Sequence, residues 1–219
     1  MSWLEERTIG GLHDFLLTHI LPRYTTGGAA VDLGAGSGAL AVRLQGLGYQ
    51  VIAVDIDPSG FKADVPFLRL DLNEPEFAKH LGEESFDLVT SVEVIEHLEN
   101  PVGFLRNVRR LLKPEGVAIV TTPNVENLPA RVKFLLTGKL RMMDEKGDKT
   151  HIMPIFSDLL FRQYLPRAGL KLVERCSYPP NGFKVTRSVF AMFFSAIAKL
   201  GRNPVLLGDN HIFVLRRQD

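Results

Sequence analysis

The stretch Val31 to Gly38, VDLGAGSG, places an acid, Asp32, immediately before a glycine-rich turn. Such a turn after a strand usually cradles phosphate through its backbone N–H groups, and a carboxylate beside it would repel that ligand. Other acids stand at comparable places: Asp55 and Asp57 in VIAVDID, and Asp71 in FLRLDL. If these strand ends share one crevice, its lining is anionic and suits a ligand that carries positive charge. Gly34, Gly36 and Gly38, with Ala35 between them, would let the backbone bend sharply and approach the ligand. An acid that ends the second strand of a nucleotide-binding sheet accepts hydrogen bonds from ribose hydroxyls, the role expected of Asp55. Asp71 is placed to accept from the exocyclic amine of a base. A second group, EVIEHL, sets Glu93, Glu96 and His97 at i, i+3 and i+4. If this segment opens a helix, all three share one face. The same spacing also fits a solvated acidic turn whose histidine bonds the backbone.

The elements that must hold these groups follow from hydrophobic periodicity and its punctuation. AAVDL reads as a buried strand, and SGALAVRLQGLG as a helix ending at a glycine. QVIAVDID, FLRLDL and FDLVTSVEV read as further strands. PVGFLRNVRRLLKPEG reads as a helix with Pro101 at its start and Gly116 past its end, and VAIVTTPN as a fifth strand. Upstream, Ser2 and Glu5 have capping-box spacing before Ile9, Leu12, Leu16 and Ile20, predicting a helix that ends before Pro22. Downstream, LPARVKFLLTGKL looks helical, RMMDEKGDKTHIMP is a polar loop, and FSDLLFRQYLPRAG is a helix capped by Ser157. LKLVERCSY and HIFVLRRQ are two last strands, with a helical pattern, TRSVFAMFFSAIAKLG, between them. Apolar strands alternating with helices predict an α/β, doubly wound, three-layered sheet with its ligand at the carboxyl ends of the strands.

A cationic nucleoside with ribose, adenine and an amino-acid tail is S-adenosyl-L-methionine. From Ala29 to Leu172 the order and spacing of these blocks resemble the class I S-adenosylmethionine-dependent methyltransferases. VDLGAGSG is similar to the family's first motif, VDID to its ribose acid and LDLNEP to its adenine segment. FDLVTSVEVIEHLENP and LLKPEGVAIVTTPN resemble its fourth- and fifth-strand blocks. The resemblance implies a seven-stranded Rossmann-like sheet, six strands parallel and the last antiparallel. It implies one methyltransferase domain over 1–219: an N-terminal helix at 1–24, a cofactor-binding core at 25–124, and acceptor-side insertions at 125–156 and 179–209. Asp32, Gly34, Ala35, Gly36 and Gly38 would hold the methionine end, Asp55 and Ile56 the ribose, and Asp71 and Leu72 the adenine. Ser91, Val92 and Glu93 would line the methyl side.

EVIEHL closely resembles the E-x-x-E-H segment of the ubiquinone-biosynthesis O-methyltransferases and of the small-RNA 2′-O-methyltransferases, where it is associated with a divalent metal. The small-RNA group adds a later histidine after the fifth strand, where His151 stands, and LRMMDEKGDKTH is similar to the ubiquinone group's loop before its own histidine. The resemblance thus implies a metal site of Glu93, Glu96, His97 and His151, and catalytic roles for Glu96, His97 and His151. Mixed oxygen and nitrogen ligands fit manganese, iron or zinc more readily than magnesium. The expected reaction is O-methylation of a small molecule. The alternatives are an N-methyltransferase, an RNA 2′-O-methyltransferase, a non-catalytic partner-binding protein on the same fold, and an NAD-dependent oxidoreductase. GAGSGA does fit the dinucleotide pattern, but Asp32 opposes it and EVIEHL has no role in it.

Composition narrows the field further. The chain has 219 residues, 45% hydrophobic, with net charge +1, enough for one substantial core and without the basic excess expected of a nucleic-acid binder. Arg131, Lys133, Lys139, Arg141, Lys146 and Lys149 cluster locally but are diluted by Asp144, Glu145 and Asp148. The lone Cys176 cannot form an internal disulfide and fits a reducing compartment, and MSWLEERTIGG lacks the apolar region of a secretion signal. The expected location is cytoplasmic. For the acceptor side the variable segments offer Trp3, Ile9 and His13; Asn124, Arg131, Phe134, Arg141 and Met142; and Phe183, Arg187, Phe190 and Phe194. Phe190, Phe193, Phe194 and Ile197 form an apolar stripe flanked by Lys184, Arg187, Lys199 and Arg202. That stripe fits a packed helix, a lid over a lipid-like acceptor, or peripheral membrane contact. His13, His19, His80 and His211 read as surface or packing residues, and Cys176 as buried.

Overall fold

The computed structural model describes residues 4–143, 150–186, 188–200 and 204–218. Ser2, Trp3, residues 144–149, Arg187 and Arg202, all singled out above, lie outside the described residues. The described strands are β1 (Gly28–Leu33), β2 (Tyr49–Asp55), β3 (Phe67–Arg69), β4 (Phe86–Val92), β5 (Leu112–Pro123), β6 (Leu170–Tyr178) and β7 (Asn210–Arg217). They form one sheet in the order β3-β2-β1-β4-β5-β7-β6, with β7 antiparallel to both of its neighbours and the other pairs parallel. This is the expected seven-stranded, doubly wound architecture. The strand order reverses beside β1, so β1 and β4 open a crevice at their carboxyl ends.

Residues along each central strand alternate between two cores, as a period of two requires. Val31, Leu33, Val120, Phe213 and Leu215 face one; Ala30, Ile119, Ile212 and Val214 face the other. The helices are α1 (Leu12–Phe15), α2 (Ala39–Gly46), α3 (Pro101–Leu111), α4 (Leu128–Thr137), α5 (Ser157–Leu159), α6 (Leu165–Ala168) and α7 (Ser188–Leu200). Leu12 of α1 and Leu40 and Leu44 of α2 cover the second core. Phe104, Leu105, Val108 and Leu111 of α3, with Leu165 of α6, cover the first. Each large apolar side chain so buried contributes about 1.5–3 kcal/mol. Asn100 caps α3 by accepting from Gly103 N–H at 2.8 Å, with Pro101 in its first turn. Asn127 caps α4 by accepting from Ala130 N–H at 2.9 Å.

Five local expectations are corrected. The N-terminal helix starts at Leu12 with Gly11 as its cap, not at a Ser2–Glu5 box. Tyr178 Oη and Lys184 Nζ donate to the Gly10 carbonyl at 3.0 and 2.6 Å, tying the preceding residues in non-helical form. The helix also runs past the expected stop, through a π turn at Leu16–Ile20 and a 3₁₀ turn at Leu21–Arg23. Pro22 sits in the first turn of the latter, where no intrahelical donor is needed. β3 ends at Arg69, so Asp71 lies in the following turn and accepts from Asn73 N–H at 2.8 Å. Ser157 is the first residue of α5 and not its cap; its N–H donates to Glu126 Oε2 at 2.6 Å, so a carboxylate meets the positive helix end. EVIEHL forms a 3₁₀ turn at Ile95–His97, with consequences for the site.

Candidate active site

Asp32 is held where the β1–β4 ladder puts Thr90 directly beside it. Its side chain is 2% exposed, and Oδ1 accepts from Thr90 Oγ1 at 2.7 Å. Burial pushes this carboxyl up to about 7, partly offset by the Thr90 bond and reinforced by nearby Asp55. The glycine turn that follows is suspended from β2. Gly34 and Ala35 N–H donate to the Val54 carbonyl at 2.8 and 2.9 Å, and Gly36 N–H donates to Asp55 Oδ2 at 2.8 Å. Asp55 Oδ1 accepts from Asp57 N–H at 3.0 Å. Two of the glycines are sterically required. Gly34 and Gly38 have φ of +75° and +86°, and a Cβ on either would come within 2.3 Å of Val94 Cγ2 or Ala63 Cβ respectively.

Asp32, Gly34, Ala35, Gly36 and Val92 line a void of about 40 Å³, together with Glu5, Arg7 and His13. A second cleft of about 360 Å³ is lined by Asp57, Ser59 and Gly60 and by the same Glu5, Arg7 and Ser37. The N-terminal segment lies between the two, fastened by Ser37 Oγ donating to the Glu5 carbonyl at 2.6 Å. Of the other residues expected here, Ile56 is exposed, Leu72 and Ser91 are buried and Asp71 is half-buried; none of them, nor Asp55 or Glu93, lines the void beside Asp32.

Glu93 follows β4 with φ +55°, an uncommon backbone for a glutamate. Its N–H donates to Thr121 Oγ1 at 3.1 Å, and its carboxylate accepts from Asn210 Nδ2 at the start of β7. This reversal separates Glu93 from the 3₁₀ turn, so the expected shared helix face does not form. Glu96, His97 and His151 do converge: one ligand atom from each lies within 4.8 Å of the others. Glu96 is 1% exposed, and its backbone carbonyl accepts from Ile152 and Met153 N–H, both at 2.9 Å. Those two bonds bring His151 to His97, with ring centroids 4.7 Å apart. Nδ1 of His97 lies 3.1 Å from the Thr150 carbonyl, and Nδ1 of His151 lies 2.9 Å from that of Met142. A carbonyl only accepts, so His151 Nδ1 carries the proton and leaves Nε2 as its possible ligand atom; His97 Nδ1 also lies 2.9 Å from Thr150 Oγ1, a hydroxyl that can donate or accept. The donor set of one buried carboxylate oxygen and two imidazole nitrogens fits a divalent transition metal. Three of the four expected ligands are thus together; Glu93 is not among them.

Of the residues expected on an acceptor side, Asn124 is buried and its Nδ2 donates to the carbonyls of Val205 and Leu207 at 2.9 and 3.0 Å, so it fastens the segment before β7. Arg141 turns inward toward Asp209, at 3.6 Å. Arg131 and Phe134 line an apolar groove of about 700 Å³ with Val125, Leu135, Leu140 and Phe156.

Sequence reasoning missed two residues that shape the site. Thr90 is found only through strand register, and Asn210 only through the position of β7. His13, named both as an acceptor-side candidate and as a surface or packing residue, is buried against the void at Asp32; burial, then the Arg43 charge, lowers it to about 4. His211 is indeed a packing residue, fully buried with Nε2 3.4 Å from Glu126 Oε2. Cys176 is only partly buried, though burial still pushes its thiol up to about 11.

Residues 5–175 match the family described as "Methyltransferase domain". The ubiquinone biosynthesis O-methyltransferase of Caulobacter vibrioides is 34% identical over 126 residues, covering 50% of this chain and 50% of that protein. The chain therefore spans about half the length of that relative. A methyltransferase of Haloferax volcanii, solved in complex with the Trm112 methyltransferase activator, has a TM-score of 0.65 at 20% identity, over 94% of this chain and 91% of that one. A SAM-dependent methyltransferase from Archaeoglobus fulgidus has a TM-score of 0.62 at 19% identity, over 94% and 92%. At these identities the two structures speak for the fold alone.

Proposed function

The chain belongs to the methyltransferase-domain family, and on that premise we propose that it transfers the sulfonium methyl of S-adenosylmethionine to an oxygen of a small molecule. In this reading residues 25–124 are the donor-binding core. Asp32 and the turn from Gly34 to Gly38 take the methionine end, Asp55 and Ile56 the ribose, and Asp71 and Leu72 the adenine. Ser91, Val92 and Glu93 flank the methyl group, with Glu93 steadied by Asn210. The insertions at 125–156 and 179–209 build the acceptor site.

The observation that carries the oxygen acceptor is the convergence of Glu96, His97 and His151 within 4.8 Å, directly past the end of β4. A hydroxyl is a poor nucleophile until its proton is drawn away. A divalent cation, when bound, would lower that hydroxyl's pKa and fix its oxygen in line with the sulfonium carbon. Glu96, His97 and His151 would hold it, His151 through Nε2. Contacts of His97 Nδ1 with Thr150 and of His151 Nδ1 with the Met142 carbonyl steady the two rings. Without a cation, an imidazole of this pair can accept the acceptor's proton.

The test has two stages. Calorimetry with S-adenosylhomocysteine should give binding heat; its absence refutes the donor assignment. Release of S-adenosylhomocysteine is then measured with paired hydroxy- and amino-substituted benzoates, with and without EDTA. Turnover of the hydroxylated member, lost in EDTA and restored by manganese, is the expected result. Turnover of the amine alone would overturn the oxygen acceptor. Activity that survives both EDTA and Glu96→Gln would overturn the metal.

A further inference from the structure

Four arginines, Arg106, Arg109 and Arg110 of α3 and Arg167 of α6, line one cleft of about 610 Å³ that no acid and no aromatic ring lines. Arg106, Arg109 and Arg110 stand at i, i+3 and i+4, so they share a face of α3, where like charges repel. Two of the guanidiniums are set by backbone carbonyls. Arg106 Nε donates to the Arg167 carbonyl at 3.2 Å, and Arg109 Nε to the Gly169 carbonyl at 3.1 Å. Gly169 has φ +68°, and a Cβ there would come within 2.7 Å of Arg109 Nε, so the missing side chain is what lets Arg109 lie across the backbone. The Gly169 carbonyl also accepts from Gln218 N–H at 2.9 Å, which brings a further polar side chain to the same cleft.

These charges are unevenly answered. Arg110 pairs with Glu76 and Glu83. Arg106, Arg109 and Arg167 have no carboxylate partner among the described residues. The carbonyl ends of α3 and α6 favour cations, yet each Nε bond uses one of a guanidinium's N–H groups and leaves the rest. The Nη forks of Arg106 and Arg109 thus remain for an outside acceptor, and such forks match phosphate oxygens in pairs. A cleft of this size suits a small ligand. Nothing lining it can stack on a base. Glu76 and Glu83 on Arg110, and Glu84 on Arg217 next to Gln218, stand beside it, where they repel a long polyanion. What fits is a compact chain of phosphates.

We propose that Arg106, Arg109 and Arg167 form a binding site for a soluble oligophosphate, at the opposite end of the sheet from the crevice at Asp32. α3 runs into the start of β5 and α6 leads to the start of β6, whereas Asp32 and Asp55 stand toward the carboxyl ends of β1 and β2. The two places are therefore separate, and the failure of one assignment is readable apart from the failure of the other.

The full chain is titrated by calorimetry with inorganic triphosphate, orthophosphate and sulfate in metal-free buffer. Triphosphate should bind, weaken as salt rises, and bind about tenfold or more tighter than the two single anions, since it can engage more than one fork. Arg106→Gln with Arg167→Gln should lower its affinity about tenfold or more. Arg167→Gln alone, which breaks no side-chain hydrogen bond among the described residues, should lower it about threefold. Arg162→Gln removes an exposed arginine outside the cleft, held by Asp158, and should change nothing. All three variants should keep the melting temperature. Saturating S-adenosylhomocysteine should leave triphosphate affinity unchanged; competition would put triphosphate in the donor crevice and overturn the proposal. Triphosphate binding without any S-adenosylhomocysteine binding would refute the donor assignment and leave this site standing. Absence of triphosphate heat overturns the proposal, as do folded Arg167 variants that bind as well as wild type. So does a loss from Arg162→Gln equal to theirs, since overall charge would then be the cause. A single-stranded oligonucleotide that binds more tightly than triphosphate, and is lost with Arg106 and Arg167, would make the face a nucleic-acid surface and also overturns it.

Discussion

Asp55 Oδ2 accepts a hydrogen bond from the backbone N–H of Gly36 at 2.8 Å, so the last residue of β2 holds the middle of the glycine turn after β1. The side chain proposed to meet the ribose therefore also shapes the loop proposed to meet the methionine end. Asp55→Ala removes both functions, and loss of charge-assisted bonds worth about 1.5–3 kcal/mol should weaken S-adenosylhomocysteine binding about 10- to 100-fold by calorimetry. Asp55→Asn keeps an oxygen for Gly36 N–H and should fall between that variant and wild type.

Asp32, if it meets the donor as proposed, should make donor binding pH-dependent. Its carboxyl is raised from 3.8 to about 7 by burial, so the folded chain holds a proton that the unfolded chain releases. Its contribution to stability is most favourable below about pH 4, falls as pH rises toward about 7, and is level above that. Donor binding should run the other way, because in the proposed reading the methionine ammonium pairs with the carboxylate. Affinity for S-adenosylhomocysteine should rise about tenfold between about pH 6 and pH 8. Asp32→Asn should flatten both trends, in titrations and in melting curves.

The cluster of Glu96, His97 and His151 should bind manganese without donor or acceptor. His151→Ala should weaken that binding by about 10- to 100-fold or more, read by calorimetry with manganese chloride, and leave S-adenosylhomocysteine binding intact. Glu93→Gln should leave manganese affinity within about twofold of wild type, since Glu93 stands outside the cluster and is held by Asn210.

Backbone geometry at the turn predicts a sharp contrast between two glycines. Gly38→Ala places a Cβ 2.3 Å from that of Ala63, at φ +86°. It should cost about 2–5 kcal/mol by denaturant unfolding. Gly46→Ala, at the end of α2 with nothing within 4 Å, should be neutral or stabilising by about 0.4–1 kcal/mol.

How far the sequence could be read depended on the range of each signal. Central strands such as AAVDL and VAIVTTP are apolar runs because both faces are buried, and that pattern is local. So are the glycines and prolines that punctuate them; Pro101 stands in the first turn of α3, as its position implies. Expectations failed where a distant group outbid the local pattern. The N-terminal helix starts at Leu12 because Tyr178 and Lys184 hold the Gly10 carbonyl. Ser157 gives up the cap because Glu126 reaches its N–H.

By itself, the chain's sequence determined the sheet and the order along it of Asp32, Asp55 and Asp71, since each is written in neighbouring residues. Tertiary structure alone decided that Thr90 bonds Asp32, that Glu93 turns to Asn210, and that His151 closes on Glu96 and His97. Those contacts join residues tens of positions apart, and each is set by strand register and by a few directional hydrogen bonds that leave no periodic trace in the chain.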